Sequence, residues 1–435
     1  MDNQRRILHN ASIAVDGSKI LEIGPSAKLK RSYKGRREIN ASHLVAIPGL
    51  INSHNHLFQV LCRGFGDGLD LLRWAQKAIW PFAPFFSKSV CEAAALLACL
   101  EMIESGTTTV VDSHYLHSDP EAQDGIAMAC FHSGIRAILC HAAIDSKKVP
   151  EAFREAPEEA VRATTRFIQD WNGNDDRLLI RPEALNEELS SQKMILKLRE
   201  LSREAGVGFH MHVAEARWRP ERLKKNMGFR TIEYLDHMGI LGPDVVLAHC
   251  VWINEKEIKL IAESGTNVIH NPISNQFLAD GVAPVPELLE KGVYVGLGTD
   301  GAASNNALDM FEVMKGTVLL QKVHHLRSDL MDAAQVLEMA TIMGTKALGI
   351  DGITGSLERE KKADILLLTL DSPRMIPCYS IHSNLVYSAS SSIVHTVIIN
   401  GKVVAENGRC LSIDREEVMR EIREIEKYFN KKLSG

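Results

Sequence analysis

Between about residues 49 and 360, short apolar runs alternate with amphipathic stretches, and this alternation constrains the fold more than any other feature. The apolar runs are typical of buried parallel strands, and the amphipathic stretches of the helices that connect them. Repeated about eight times, the unit predicts a (β/α)₈ TIM barrel with catalytic groups at the carboxyl ends of its strands. The predicted strands are 107–111, 137–140, 178–180, 207–213, 245–249, 267–270 and 293–297, and the clearest helices are 190–204, 255–264 and 285–291.

Short β-rich segments lie on either side of this region. Residues 11–24 and 394–404 each alternate apolar and polar side chains around a turn pair, Asp-Gly in the first and Asn-Gly in the second. Both pairs are typical of tight hairpins. Ends of matching character predict that the two termini meet in one small β-sandwich domain.

We therefore predict three parts of the chain. Residues 1–48 and 361–435 build the small β domain, and residues 49–360 form the barrel. The charged segment 414–432 is predicted to be a terminal helix, serving as an exposed arm or a subunit contact.

Composition excludes several classes of function. Fifty Lys and Arg against 55 Asp and Glu give a net charge of −5 at pH 7, so no basic nucleic-acid surface is expected. No run of about 18 apolar residues predicts a membrane span. The eight cysteines form no CxxC pair, which indicates reduced thiols and a cytoplasmic protein.

Histidines and one aspartate follow four of the predicted strands. His54 and His56 are two residues apart, so both rings point to the same side of a strand end. His212 and His249 close two later strands, and Asp300 lies in a glycine-rich loop after another. Each feature alone also fits a polar turn or a hydrogen-bonded core cluster. Because strand ends meet at one barrel mouth, and zinc prefers imidazole and carboxylate ligands, together they favour a metal site.

The motifs around these residues resemble those of the amidohydrolase superfamily. The similarity is to the branch of chlorohydrolases, triazine aminohydrolases and, most similar, methylthioadenosine/S-adenosylhomocysteine deaminases. It covers nearly the whole chain and is carried by Pro48-Gly-Leu-Ile-Asn-Ser-His54-Asn-His56, Met211-His212-Val-Ala-Glu215, Ala248-His249-Cys250, His270-Asn-Pro-Ile-Ser-Asn275 and Gly298-Thr-Asp300-Gly-Ala-Ala-Ser-Asn-Asn306.

The resemblance implies a site for one divalent metal ion, zinc first and iron second, with the ligands His54, His56, His212 and Asp300. Residues 177–182 contain no lysine, which favours one metal over two. The resemblance also implies that Asp300 and His249 accept the proton of the attacking water, while Glu215 protonates a ring nitrogen of the substrate. The metal makes hydroxide available near neutral pH, and ammonia leaves.

Three departures from the nucleoside deaminases of this branch affect the part that would hold a ribose. Ala83 stands where those enzymes have a glutamate that binds the ribose hydroxyls. Residues 181–185 replace a Gly-Pro-His motif, and His141 replaces an arginine. We therefore predict a deaminase for an amino-substituted nitrogen heterocycle without the sugar, such as a triazine, a purine base or a pterin.

Other activities remain open at this point. The resemblance also allows a deaminase of S-adenosylhomocysteine or methylthioadenosine, and a triazine chlorohydrolase. A catalytically silent scaffold is disfavoured because none of the four implied ligands is missing. A homodimer or homotetramer is expected on the resemblance alone. The residues predicted to contact the small-molecule substrate are Gln59, Trp74, Trp80, His114, Ser304 and Asn305.

Overall fold

A computed structural model describes residues 4–433 of the 435-residue chain. Its strands are β1 (Ala11–Asp16), β2 (Lys19–Pro25), β3 (Leu44–Pro48), β4 (Leu50–Asn55), β5 (Thr107–His114), β6 (Arg136–Ala143), β7 (Leu178–Asn186), β8 (Phe209–Val213), β9 (Val245–His249), β10 (Asn267–His270), β11 (Val295–Leu297), β12 (Ile365–Thr369), β13 (Val394–Ile399), β14 (Lys402–Glu406) and β15 (Arg409–Cys410).

The helices follow most strands, as the alternating pattern predicts. They are α1 (Ser26–Ser32), α2 (Leu71–Trp74), α3 (Lys88–Glu104), α4 (Ala122–Ser133), α5 (Pro157–Trp171), α6 (Gln192–Glu204), α7 (Trp218–Met227), α8 (Thr231–His237), α9 (Glu255–Ser264), α10 (Pro272–Phe277), α11 (Val285–Glu290), α12 (Ala302–Asn305), α13 (Met310–His325), α14 (Ala333–Met339), α15 (Ile342–Ala347), α16 (Ile381–Ser383) and α17 (Arg415–Leu433). Short 3₁₀ or π turns lie at Leu57–Cys62, Ala75–Ile79, Ala83–Phe85, Glu151–Phe153, Asn174–Asp176, Asn384–Ser388 and Ser391–Ile393.

Strands β4 to β11 form one eight-stranded sheet in sequential order. Neighbouring strands within it are parallel. The first and last strands meet where the Asp300 N–H donates to the His54 carbonyl at 3.0 Å. The predicted TIM barrel is confirmed, and the last strand of the barrel is joined to the first at the mouth.

The predicted strands match the observed ones, with β9 and β10 correct to the residue. Strands β5, β6 and β7 continue beyond the predicted runs, to His114, Ala143 and Asn186. The added residues, among them the polar His114, His141 and Asn186, are still buried in the barrel. A search for apolar runs does not detect polar strand residues. Inside the barrel these residues are held by hydrogen bonds and not by hydrophobic burial.

Both ends of the chain contribute to a small antiparallel β structure. Strand β3 pairs with β12 in a five-stranded sheet that continues through β13, β14 and β15. The hairpin of β1 and β2 packs on this sheet through an apolar cluster that includes Ile20, Ile365 and Leu367. The predicted sandwich is confirmed, while the domain limits at residues 48 and 360 stay predictions.

The terminal helix α17 differs from the expected exposed arm. Its apolar residues recur at helical spacing, and Phe429 is buried against Phe82, Phe85 and Phe86 at ring-centroid distances of 5.4, 5.6 and 5.9 Å. Arg415 at its start also pairs with Glu104 at 2.6 Å. Charged residues hide this apolar stripe in the sequence. Because of the stripe, the helix lies against the barrel. Its role as a subunit contact stays a prediction.

Within residues 4–433, no helix has the length and apolar character needed to cross a membrane. All eight cysteines are free thiols, and six of them are buried. The cytoplasmic location stays a prediction.

Candidate active site

Polar side chains from β4, β8, β9 and the loop after β11 converge at the barrel mouth. Asp300 Oδ1 lies 3.3 Å from His56 Nε2 and 3.8 Å from His54 Nε2. His212 Nε2 lies 3.3 Å from His56 Nε2. All these side chains are buried. We call His54, His56, His212, His249 and Asp300 the central cluster.

The backbone is strained at three of the contributing strand ends. Ala214, His249, Cys250 and Asp300 have φ values of 47°, 74°, 48° and 61°. Residues other than glycine adopt this left-handed region at a cost of about 1–3 kcal/mol each, and such strain concentrates at functional sites. The strain turns the chain sharply after each strand and fixes where its last side chain points.

Hydrogen bonds orient the histidine rings. His56 Nδ1–H donates to the Ser113 carbonyl at 2.5 Å, which leaves a lone pair on His56 Nε2. His212 Nδ1 contacts the Glu183 carboxyl at 3.0 Å, and His54 Nδ1 contacts His210 Nε2 at 3.1 Å. In each ring the Nδ1 atom is engaged, as it is in metal-binding histidines.

His249 is arranged differently from these three rings. The Asn275 side-chain amide donates to His249 Nδ1 at 3.0 Å, so the neutral ring carries its proton on Nε2. That atom lies between two carboxylates, 3.7 Å from Glu215 Oε1 and 3.8 Å from Asp300 Oδ2. A ring that holds a proton between two carboxylates is suited to proton transfer rather than to metal binding.

Burial sets the charge state of the cluster. It lowers the pKa of His54 well below the usual range, and it also lowers the pKa of His56 and His212. Burial opposes ionisation of Asp300, but the nearby histidines, His56 foremost, outweigh it and lower the pKa of this carboxyl. Neutral imidazoles and an ionised carboxylate are the forms that bind a metal.

The donor set fits one divalent metal ion. One ligand atom from each of His54, His56 and His212 lies within 4.8 Å of the others, and the same holds for His54, His249 and Asp300. The buried Nε2 atom of His54 has no hydrogen-bond partner, which leaves its lone pair available for a cation. Three imidazoles and one carboxylate match the preferences of zinc.

Several titratable residues around the central cluster and Glu215 were not singled out by the sequence. Arg219 Nη1, near the start of α7 and four residues after Glu215, lies 3.3 Å from Glu215 Oε2. Burial, together with the neighbouring Glu215, raises the pKa of Asp280 to about 9. Burial also raises the pKa of Glu183 to about 8. Polar residues within β7 were the available signal for Glu183, whereas Arg219 and Asp280 lie in no recognisable motif.

Gln59 lies at the central cluster. Its Nε2 donates to the Tyr115 hydroxyl at 2.9 Å, and its buried Oε1 has no hydrogen-bond partner. A Cβ on Gly301 would lie 1.9 Å from this oxygen, so any side chain at position 301 would displace the end of Gln59.

Three other predicted substrate contacts brace the loop that carries Asp300. Trp74 Nε1 donates to the Ala303 carbonyl at 2.9 Å, and Asn305 Nδ2 donates to the Thr299 carbonyl at 2.7 Å. Ser304 Oγ accepts from Ser274 Oγ at 2.9 Å. Of these groups, Asn305 Oδ1 is buried without a partner.

The two remaining predicted contacts lie elsewhere around the mouth. His114 Nε2 donates to the Leu116 carbonyl at 2.7 Å, and the ring packs edge-on against Phe58. Trp80 is partly buried near Phe153. The substrate contacts of all six residues stay predictions.

The comparisons with known proteins agree with this geometry. The model of the Amidohydrolase family matches residues 45–404. The chain belongs to the amidohydrolase family. It is 39% identical over 422 residues to a protein of Methanosarcina barkeri named 5'-deoxyadenosine deaminase, covering 96% of this chain and 93% of that protein.

Two further family members were compared. A Desulforudis audaxviator protein named 5-methylthioadenosine/S-adenosylhomocysteine deaminase is 36% identical over 412 residues, covering 94% of this chain and 92% of that protein. The crystal structure of an adenosine deaminase from Xanthomonas campestris with bound zinc superimposes with a TM-score of 0.93 at 28% identity. That match covers 98% of this chain and 95% of the other. The chain is a metal-dependent hydrolase.

Proposed function

We propose that this hydrolase deaminates an amino-substituted nitrogen heterocycle by the addition of water and the loss of ammonia. The observation that carries the proposal is the position of His249 Nε2 between the carboxylates of Glu215 and Asp300, at 3.7 and 3.8 Å. Deamination needs one group that takes a proton from water and another that gives a proton to the ring. Asp300 can take the proton from water and Glu215 can give one to the ring, and both carboxyl groups lie next to His249.

His54, His56, His212 and Asp300 would hold the metal ion, which we propose to be zinc. When bound, the metal lowers the pKa of water so that hydroxide is available near neutral pH. The zinc-bound adenosine deaminase structure supports zinc over iron.

The proton transfers are assigned to the chain's own residues. Asp300 Oδ2 accepts the proton of the attacking water, and the Nε2–H group of His249, 3.8 Å from that oxygen, stabilises the carboxylate and positions the water. Glu215 donates a proton to the ring nitrogen beside the carbon that bears the amino group. The proton that Asp300 took from water then passes to the amino group, which leaves as ammonia. The hydroxyl group on the ring carbon gives its proton back to Glu215 as that carbon becomes a carbonyl. Arg219, 3.3 Å from Glu215 Oε2, orients that carboxyl.

Two substrate classes follow from different observations. Ala83 is buried and cannot hydrogen-bond a ribose through its side chain, which supports a free heterocycle such as a triazine, a purine base or a pterin. The names of the compared relatives support a nucleoside such as 5'-deoxyadenosine, methylthioadenosine or S-adenosylhomocysteine. Both classes present an amino group on an electron-poor ring, so they share the same chemistry.

Ammonia release from the zinc-loaded protein tests the proposal. The panel pairs 5'-deoxyadenosine, methylthioadenosine, S-adenosylhomocysteine and adenosine with guanine, pterins and aminotriazines, and adds a chlorotriazine with chloride detection. Turnover of any amino substrate supports deamination, and the preferred class decides between nucleoside and free heterocycle. Chloride release without ammonia release would instead establish a chlorohydrolase. We also propose a homodimer or homotetramer, which sedimentation velocity checks.

A further inference from the structure

A second group of metal-ligating side chains lies outside the central cluster. His117 follows β5, His141 lies in β6, and Glu155 follows the Glu151–Phe153 turn. One ligand atom from each lies within 4.8 Å of the others. Their side chains are 8%, 5% and 14% exposed, so the group is largely buried yet open to solvent. We call these three residues the rim cluster.

The distances within the rim cluster are those of metal ligands. Glu155 Oε2 lies 3.1 Å from His141 Nε2 and 3.6 Å from His117 Nε2. Donor atoms of a tetrahedral zinc site with bonds of about 2.0–2.1 Å stand roughly 3.3–3.4 Å apart. The three ligand atoms lie close enough together for one cation to reach them all. The His117 and His141 rings stack with their centroids 4.0 Å apart, so one ring must tilt for both Nε2 atoms to point at the cation.

The hydrogen bonds around His141 leave its Nε2 atom available for such a cation. Gln123 Nε2 donates to the Cys140 carbonyl at 2.9 Å, which turns Gln123 Oε1 toward His141. That oxygen accepts from His141 Nδ1–H at 2.8 Å. A neutral His141 therefore presents a lone pair on Nε2 to the Glu155 carboxylate. Two lone pairs at 3.1 Å repel unless a proton or a metal ion lies between them.

His117 needs one rearrangement before it can bind a metal. His117 Nε2 currently donates to the Ala142 carbonyl at 3.2 Å. Binding through Nε2 moves that proton to Nδ1 and gives up one long hydrogen bond, worth about 1 kcal/mol.

We propose that His117, His141 and Glu155 bind a second divalent metal ion of the zinc class, at the rim of the barrel and separate from the central cluster. Two imidazoles and one carboxylate select such an ion over magnesium or calcium, which prefer oxygen ligands. Three protein ligands leave a fourth position for water or for a group on a bound molecule. The proposal does not depend on the deaminase assignment.

Zinc stoichiometry tests the proposal on the full-length protein. Metal-free protein is titrated with zinc in competition with a chromophoric chelator. We expect two zinc ions per wild-type chain and one per chain for Glu155→Gln and for His141→Gln. One zinc ion per wild-type chain, or two in both variants, would overturn the proposal.

Two controls assign each zinc ion to its cluster. His132→Gln removes an exposed histidine that lies 3.9 Å from Glu92, and it should leave two zinc ions bound. His56→Ala should leave one zinc ion, which the double variant with Glu155→Gln should lose. A His56→Ala protein that binds no zinc would contradict an independent second site.

Diffraction from the unmutated protein gives a test that needs no variant. In zinc-soaked crystals, anomalous scattering at the zinc edge should show one peak at the central cluster and one within about 2.2 Å of His141 Nε2. A peak at the central cluster without one at the rim cluster would contradict the proposal. It would mean that a proton, not a metal ion, lies between His141 and Glu155.

Discussion

The central cluster and the rim cluster combine the same residue types in different settings. The central cluster lies at the ends of strands β4, β8 and β9 and in the loop after β11, and its histidine rings are hydrogen-bonded through Nδ1. The rim cluster has one member in a strand and two in loops, and it is partly exposed. Sites on rigid strands hold catalytic geometry better than sites on loops. On these grounds we propose the central cluster as the place of the reaction and the rim cluster as a binding site only.

Two carboxyl groups near the two clusters also differ in the direction in which their pKa is shifted. Burial raises the pKa of Asp112 to about 7, whereas the neighbouring histidines bring that of Glu155 to about 2. At Asp112, desolvation exceeds the attraction of nearby charges, whereas at Glu155 the two neighbouring histidines dominate. Replacing Asp112 and replacing Glu155 by the corresponding amide should therefore have opposite effects on stability above the ordinary carboxyl pKa.

The largest effect is expected for Glu215→Gln. The substitution removes the ring-protonating acid and leaves all four proposed metal ligands in place, so turnover should fall by about 10²–10⁴-fold while bound zinc stays unchanged. Steady-state ammonia release and metal content measure the two quantities. Glu221→Gln, at an exposed position on α7, serves as the control. Near-normal turnover in Glu215→Gln would remove Glu215 from the mechanism.

The sequence predicted the central cluster because its residues lie in motifs at predicted strand ends. His54 and His56 are two residues apart, and a strand must bring both to one side. Sequence spacing could not reveal Arg219, which reaches Glu215 from near the start of α7, or Asp280, which comes from a distant loop. The rim cluster was missed for the same reason, since its members meet only when β5 and β6 lie side by side. The apolar stripe of α17 was concealed by its charged neighbours.

Asp112→Asn should change the pH dependence of stability. The native Asp112 keeps its proton up to about pH 7, whereas the unfolded chain ionises near its ordinary value of 3.8. Native protein therefore binds more protons between these values, and stability decreases as pH rises through that window. The asparagine removes this loss, so the variant should gain up to about 4 kcal/mol at pH 8 relative to pH 4.

Chemical denaturation of the metal-free proteins across that range measures the difference. Asparagine can still accept the hydrogen bond that the Leu57 N–H makes to Asp112 Oδ1 at 2.7 Å. Stability curves that run parallel for wild type and variant would show that Asp112 is ionised in the native protein.

Glu155→Gln should instead lose stability relative to wild type above pH 4.5, because the ionised native carboxylate is the stabilised form there.

Glu183→Gln tests whether hydrogen bonding to His212 strengthens the central metal site. At pH 9, above the pKa of about 8 that burial gives Glu183, the substitution removes the negative charge next to His212 Nδ1 and should weaken zinc binding at the centre by about 10–100-fold. Zinc competition in a Glu155→Gln background isolates the central site. Gln123→Met changes the corresponding neighbour of His141 and should leave the central affinity unchanged. An affinity within about threefold of the parent would show that Glu183 acts only in folding.

The smallest effect is expected for Ser304→Ala, which separates a substrate contact from a structural brace. Ser304 Oγ is buried, accepts from Ser274 Oγ and donates to the Gly301 carbonyl at 3.3 Å. Because both hydrogen bonds join the loop that positions Asp300, their loss should cost about 1 kcal/mol of stability. The KM should change by less than about threefold. A KM raised about tenfold with unchanged stability would instead mean that Ser304 Oγ releases Ser274 to bind substrate. The mouth would then rearrange on binding, unlike the fixed strand ends that carry the central histidines.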